Sequence, residues 1–297
     1  MNIKYISNLT SAPLLLSILI FTFSCSQPKN KEPDKWDEFY TRLLFIESVS
    51  FTIHGSKPIT EIILDHRGKE EKEEERNKNL GRFSKKERKK IEAQGIKWNP
   101  KYDFEDSWRI WELNLKKDLI KNYLVVHFPV NASDFDFVFF VNIIETSKVI
   151  QKNYPLFRKY VDFDFDPLEV VFDISNKESI FWNEIFNGEK SQEKICLIGI
   201  LFGYGLENSY PYSLLFHKNK TGRIGEFASN LFNQVVSIEG FHKIKYISPS
   251  KFEIPGFKSF SNPDYIIEKY QKEKEIIKNL YKGKNVEAVT MNSLYGI

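Results

Sequence analysis

The chain has 297 residues, of which 41% are hydrophobic and 28% are charged, and its formal net charge is +3. This near balance of charge does not favour a nucleic-acid-binding protein, in which a basic face is expected. The length is enough for one large domain or for two small ones.

The first 24 residues have the pattern of an export signal. Lys4 precedes an apolar run from Ala12 to Phe23, and no charged residue lies between Lys4 and Lys29. A run of about 12 residues fits the apolar region of a signal peptide, and it is too short to span a bilayer, which takes about 20. Small residues before Cys25 predict cleavage of a signal peptide of residues 1–24.

The residues at this cleavage site, Thr22-Phe23-Ser24-Cys25, resemble the lipobox of bacterial lipoproteins, with Thr22 in the place of the usual leucine. The resemblance implies that Cys25 carries acyl chains, which anchor the protein in a membrane of the cell envelope. Ser26, where retained lipoproteins commonly have Asp, implies the outer membrane in a bacterium that has two. The alternative is an ordinary secreted protein cut at the same bond.

Three regions follow the signal peptide. Residues 25–35 are polar and contain two prolines, which predicts a flexible tether. Residues 36–297 are predicted to form a single domain. Within it, residues 65–97 are dominated by charges of both signs, which is typical of a solvated helix or a mobile insertion.

Apolar periodicity, caps and turns predict the elements of this domain in chain order. A helix over 36–47 is followed by a hairpin of strands 50–54 and 59–64, a helix over 106–117 and a strand over 123–128. Further helices are predicted at 137–150, capped by Ser133, at 176–187 after a Ser175–Glu178 capping box, at 192–205 after Ser191, at 222–236, and after Asn262-Pro263 up to Gly283. Residues 167–172 and 242–247 are predicted strands. Strands and helices do not alternate regularly, which predicts a helix-rich α+β domain with a few antiparallel strands.

Asp162, Asp164 and Asp166 are weak candidates for calcium ligands, because they repeat the acidic spacing of a calcium loop that continues to Asp173. Pro167 stands where such a loop needs a positive φ, which excludes an EF-hand. The alternative is an edge strand with phenylalanines inward and aspartates outward. We therefore predict no metal site from the sequence.

No catalytic or cofactor motif is present. The five histidines do not occur at metal-ligand spacing, and adjacency in Asp65-His66-Arg67 does not make a catalytic dyad, since neighbours in a strand point to opposite faces. Cys196 lies in a strongly apolar segment and is predicted to be a buried thiol. Among Gly199, Gly203 and Gly205, small residues are predicted to let a buried helix pack closely, and Gly203 or Gly205 to end it. Polar residues 207–210 follow and are candidates for lining a pocket. Three tryptophans are predicted either to anchor the core or to form a binding platform: Trp98, Trp108 and Trp111.

Three functions fit this sequence. The first is a noncatalytic envelope lipoprotein with a binding or structural role at the surface, whose partners are the membrane, through the acyl chains on Cys25, and another envelope protein. The alternatives are a solute-binding lipoprotein of a transporter and a lipid-anchored hydrolase, whose active-site residues need converge only in space. No cofactor and no nucleic-acid partner are predicted.

Overall fold

A computed structural model describes residues 35–81, 84–85, 103–128, 134–176, 178–186, 191–215, 222–233, 236–237, 252–260 and 263–297. The predictions for the signal peptide, for Cys25 and for the tether up to residue 34 lie outside the described residues. The same holds for Ser133, Trp98, Asn262 and the strand predicted at 242–247. The described residues form a helix-rich α+β fold with a small antiparallel sheet, as the sequence predicts.

The sheet has three antiparallel strands in the order β1-β3-β2: β1 is Ile59–Asp65, β2 is Tyr123–Phe128 and β3 is Phe135–Asn142. In this register Val138 of β3 pairs with Ile62 of β1 and with His127 of β2. A second, two-stranded ribbon pairs β4 (Val236–Ser237) with β5 (Lys258–Ser259).

Thirteen helices are described. The first six are α1 (Lys35–Thr41, which continues into a π-helical turn at Arg42–Ile46), α2 (Val49–Ile53), α3 (Lys69–Gly81), α4 (Phe104–Asn114), α5 (Ile143–Lys152) and α6 (Tyr154–Val161). The others are α7 (Pro167–Phe172), α8 (Ile180–Phe186), α9 (Gln192–Leu201), α10 (Leu206–Leu214), α11 (Gly222–Asn233), α12 (Tyr265–Tyr281) and α13 (Val286–Tyr295).

The sheet separates two hydrophobic cores, because alternate side chains of each strand point to opposite faces. One face packs against helices from the two ends of the described chain, α1, α2, α4, α12 and α13. The other face packs against helices from the middle of the chain, α5 to α9. Consequently the central strand β3 is covered on both sides: Phe140 contributes to the first core and Phe139 to the second.

The predicted hairpin is wrong, because residues 50–54 belong to helix α2 rather than to a strand. Ser48, at φ 62°, starts this short helix. Ser50 and Thr52 are as fully buried as Phe51. Alternation of polar and apolar residues indicates a strand only when one face meets water, so it carries no information for a segment buried all round. The second predicted strand is confirmed as β1, and its partner is β3.

The helix predicted over 137–150 is half wrong. Residues up to Asn142 form β3, and α5 starts at Ile143, where the Asn142 side chain accepts a hydrogen bond from the Glu145 backbone (3.0 Å). An apolar run that is buried on both faces does not distinguish a central strand from a buried helix. Asp136, three residues after the predicted cap Ser133, lies in β3 rather than in a helix.

The strand predicted over 167–172 is also wrong. Asp166 caps helix α7 by accepting hydrogen bonds from Leu168 N (2.7 Å) and Glu169 N (3.0 Å), and Pro167 occupies its first turn. An aspartate followed by proline is a known start signal for helices, so the sequence contained this information. Helix α8 was predicted, but it begins at Ile180, four residues late, and Ser175 lies in a 3₁₀ turn rather than capping it.

Other helix predictions are confirmed with small shifts. Ser191 caps α9 through Lys194 N (3.1 Å), and α12 begins after Asp264 rather than Asn262. In the charged region, residues 69–81 form α3, and Lys72 lies 3.5 Å from the Glu105 carboxylate of α4.

Gly199 allows α9 and α10 to pack closely, as the sequence predicts. A Cβ at this position would lie 2.6 Å from Ser209 Oγ and 3.0 Å from Ser209 Cβ. The first distance is shorter than real Cβ contacts and the second is tighter than most of them, so a larger side chain requires Ser209 or the two helices to shift.

Candidate functional site

Two histidines converge on one carboxylate at the end of the sheet. Asp136 Oδ2 lies 2.9 Å from His66 Nε2 and 3.0 Å from His127 Nε2. Asp136 pairs with Leu64, and Val138 pairs with His127, so the two histidines are diagonal cross-strand neighbours of Asp136 on the same face of the sheet. Strands β2 and β3 therefore contribute His127 and Asp136, and His66 directly follows the last residue of β1.

Helix α4 extends the cluster with Glu112. Its Oε2 accepts a hydrogen bond from the Trp108 indole (2.9 Å) and lies 3.3 Å from His127 Nδ1. Its Oε1 accepts a hydrogen bond from Lys117 Nζ (2.9 Å). Partial burial raises the pKa of Glu112, but the hydrogen bond and charge of Lys117, the indole and His127 outweigh burial and hold the pKa below its ordinary value. Glu112 is thus a stable carboxylate at neutral pH.

The two carboxylates face opposite nitrogens of the His127 ring. A carboxylate only accepts hydrogen bonds, and a neutral imidazole has one donor, so the ring donates to both Asp136 and Glu112 only when it is doubly protonated. His66 lies at the outer end, with 39% of its side chain exposed. The chain Trp108–Glu112–His127–Asp136–His66 therefore leads from the buried core to the solvent. We call these five residues the histidine–carboxylate cluster.

This cluster can orient an imidazole for acid–base chemistry, since a carboxylate that holds one ring nitrogen of a histidine fixes its tautomer and orientation. Among the described residues, no group of three or more His, Cys, Asp or Glu side chains is arranged to hold a metal ion.

Asp65 and His66 do not form a dyad. This agrees with the prediction that neighbours in a strand point to opposite faces. Asp65 binds Arg67, with Oδ1 2.9 Å from Nε and Oδ2 2.8 Å from the terminal nitrogen. Despite partial burial, these hydrogen bonds keep the pKa of Asp65 below its ordinary value. His66 instead turns to Asp136.

The three calcium candidates lie in the loop between α6 and α7, and each has a different structural role. Asp162 ends α6 in the left-handed conformation, at φ 60°. Asp164 accepts hydrogen bonds from Arg158 Nε (2.7 Å) and the Tyr154 hydroxyl (3.2 Å). Asp166 caps α7. The alternative of an edge strand at these residues is wrong, because the segment connects two helices.

Cys196 and two of the tryptophans belong to the cores. Burial raises the pKa of Cys196 to about 11, so its thiol stays protonated and unreactive. Trp108 and Trp111 are buried and pack on Phe140 of β3. The structure therefore places these two tryptophans in the core rather than on a binding platform.

The polar residues after the glycine turn hold α10 in place. Asn208 is buried and donates a hydrogen bond to the buried Asp264 carboxylate (2.9 Å), which also accepts from Ser259 Oγ (2.6 Å). Ser209 contacts Gly199, and Glu207 lies 3.2 Å from the Tyr265 hydroxyl. Glu207 and Tyr210 are the exposed members of this group.

Two basic side chains, the partly buried His54 and the buried Lys57, lie away from the histidine–carboxylate cluster. His54 Nε2 lies 2.6 Å from the Tyr281 hydroxyl, and burial lowers the pKa of His54 to about 4. Lys57 donates hydrogen bonds from Nζ to the Ile59 carbonyl (2.6 Å) and to Thr60 Oγ1 (3.0 Å). Burial lowers the pKa of Lys57 to about 7, although the nearby Glu61 opposes this shift.

We expect His54 to destabilise the fold in acid. Its pKa is about 6.5 when unfolded and about 4 when folded, so the unfolded chain binds more protons between these values and stability falls as pH decreases through this window. Between pH 7 and pH 5 the loss attributable to His54 is about 2 kcal/mol.

Urea unfolding at both pH values measures this loss. His54→Gln keeps a polar partner for the Tyr281 hydroxyl but does not titrate, so its stability should change by about 2 kcal/mol less over the same interval. An unchanged pH dependence in His54→Gln would contradict the prediction.

The histidine–carboxylate cluster was not predicted from the sequence. Its four titratable members are 46, 15 and 9 positions apart along the chain from His66 to Glu112, His127 and Asp136. Only the strand register brings them together, and the one signal in the sequence was a histidine near the end of two different predicted strands.

No protein-family model, curated protein or solved structure matches this chain. In the part of the chain that the structure describes, no helix is both long and apolar enough to cross a membrane.

Proposed function

We propose that this protein is a lipid-anchored protein of the cell envelope whose folded domain has a noncatalytic binding role. The anchor rests on the lipobox-like residues that end in Cys25, and the apolar run before them supports export. In a bacterium with two membranes, Ser26 supports placement at the outer membrane.

The binding role is supported by three reactive side chains, Cys196, His54 and Lys57, that serve the fold rather than a reaction. The Cys196 thiol is buried, with its pKa raised to about 11. His54 is held by Tyr281, and the Lys57 amine by a carbonyl and a hydroxyl inside the core. Groups that are buried and satisfied in this way stabilise one conformation and are not accessible to a substrate.

The anchor is tested on the full chain expressed in a bacterium. We expect the mature protein to begin at Cys25, to carry acyl chains in intact-mass spectra and to partition into the detergent phase. Cys25→Ala should leave the protein unprocessed or soluble, whereas Cys196→Ala, which removes the other cysteine, should be processed normally. An unmodified mature protein that starts at Cys25 would show secretion without lipidation.

A lipid-anchored hydrolase is a second candidate, favoured by the pairing of His66 with Asp136. The carboxylate orients an imidazole that is accessible to solvent, as a general base requires.

A screen of the purified chain against chromogenic esters, phosphoesters and glycosides separates the two functions. Turnover that falls at least tenfold in both His66→Gln and Asp136→Asn would support the hydrolase and overturn the noncatalytic proposal. Turnover that is absent, or equal in wild type and variants, is the result expected for a binding domain.

A further inference from the structure

Helix α7 exposes apolar side chains in a row. Leu168 and Phe172, one turn apart on the same face, are 48% and 53% exposed. Their neighbours Val170 and Val171 are buried in the second core, so α7 is apolar on both its inner and its outer surface. A short helix that is already anchored by one apolar face has no need of a second for folding, and exposed apolar faces commonly mark interaction surfaces.

Helix α8 carries a further exposed apolar side chain. The Trp182 indole donates a hydrogen bond to the Val170 carbonyl, which ties α8 to α7. Ile180, in the first turn of α8, is 64% exposed. The apolar side chains thus lie on two helices that are fixed to each other.

The segment that carries these side chains is rich in acidic residues. Between residues 162 and 193 the sequence has nine acidic residues and two lysines, in a chain whose formal net charge is +3. Glu169 and Asp173 follow Leu168 and Phe172 directly in the sequence, and both are exposed. At 100° per residue they form a ridge beside the apolar row. Exposed carboxylates on the same segment are Asp166, Glu169, Asp173, Glu178 and Glu184.

We propose that the exposed face of α7, with Leu168 and Phe172 at its centre, docks a basic amphipathic helix of another envelope protein. This inference rests on the proposed binding function and names the chemistry of the partner. Apolar residues of the partner helix cover Leu168 and Phe172, and its lysines or arginines face Glu169 and Asp173. We call this surface the α7 face.

The charge of the α7 face disfavours the two other occupants. An anionic membrane surface would repel the carboxylates. A second copy of this chain, in a twofold-symmetric dimer, would place the same carboxylates against one another. A basic helix removes both conflicts.

The test uses the purified full chain in a nonionic detergent, with empty micelles as the blank. The probe is a fluorescent amphipathic peptide of about 18 residues, with leucine on one face and lysine elsewhere. We expect it to bind, and to bind more weakly as salt rises from about 0.05 to 0.3 M, because salt screens exposed charges. The same peptide with glutamate in place of lysine should not bind.

Variants locate the binding surface. Leu168→Ser with Phe172→Ser should weaken binding at least tenfold. Ile276→Ser, at a side chain on α12 that is 63% exposed, is the matched control and should bind as wild type does. Glu169→Gln with Asp173→Asn keeps the apolar row and should both weaken binding and reduce its salt dependence. These charge variants alter only exposed side chains, so they keep the test decisive if the serine variants fold poorly.

Several results would overturn the proposal. One is binding that neither double variant weakens. Another is binding to anionic vesicles, or self-association in sedimentation, that the serine variants abolish, since the α7 face would then serve a membrane or a second copy. Acylation of Cys25 together with absent peptide binding would overturn this inference alone and leave the proposed function standing.

Discussion

The folded domain should become more stable as the pH rises from 7 to about 8.5, because Lys57 is buried as an amine that gives up its proton readily. Its pKa is about 7 in the fold and 10.5 in the unfolded chain. Between these values the unfolded state binds more protons, so stability increases with pH and is lost again as pH falls towards 7. The expected gain over this interval is about 1.5 kcal/mol.

The measurement is urea unfolding at pH 7.0, 7.75 and 8.5. These pH values lie about one unit or more below the ordinary pKa of tyrosine and lysine, so exposed groups of these types stay protonated. Lys57→Met fills a similar space without a titrating group and should show a much flatter profile. Lys269→Met is the control, because burial also lowers the pKa of Lys269, but that residue is only partly buried. A slope that survives in Lys57→Met would contradict the assignment to Lys57.

Gly203→Ala should destabilise the domain by about 3 kcal/mol or more. Gly203 has φ +82°, a conformation that alanine adopts at a cost. Its Cβ would collide with the Tyr270 hydroxyl and lie 2.8 Å from Pro58 Cδ. Tyr270 is fully buried and donates its hydrogen bond to the Gly203 carbonyl (3.0 Å), so it cannot move aside without losing this bond.

Gly296→Ala separates strain from collision. Gly296 also has a positive φ, +68°, but a Cβ there would meet nothing within 4 Å. We expect a loss of about 1 kcal/mol from the backbone alone. Thermal unfolding of both variants gives the comparison, and equal losses would show that the contact with Tyr270 and Pro58 has no effect.

The sequence by itself determined the features that depend on neighbours along the chain. Ser191 caps α9 where its spacing predicted, because a cap needs only the backbone of the next turn. Strands β1 and β2 and the helix-rich α+β class followed from periodicity and composition. Cys196 was correctly expected to be buried, since its flanking residues are uniformly apolar. The export signal and the acylation of Cys25 remain predictions.

Tertiary structure alone decided the segments that are buried on all sides. Residues 49–53 became a helix and residues 135–142 a strand, because both lie inside the protein, where no contrast between a wet and a dry face exists to select a period. The choice was made by the neighbours that each segment packs against.

The histidine–carboxylate cluster was decided in the same way. Asp136 meets His66 and His127 only because β3 lies between β1 and β2 in one particular register, and a shift by one residue would turn Asp136 to the opposite face. The residues of this cluster were visible in the sequence, but their proximity is a property of strand pairing over distances of up to 70 positions. Local patterns in a sequence indicate helix caps and the periodicity of helices and strands, but they do not indicate which distant strands pair.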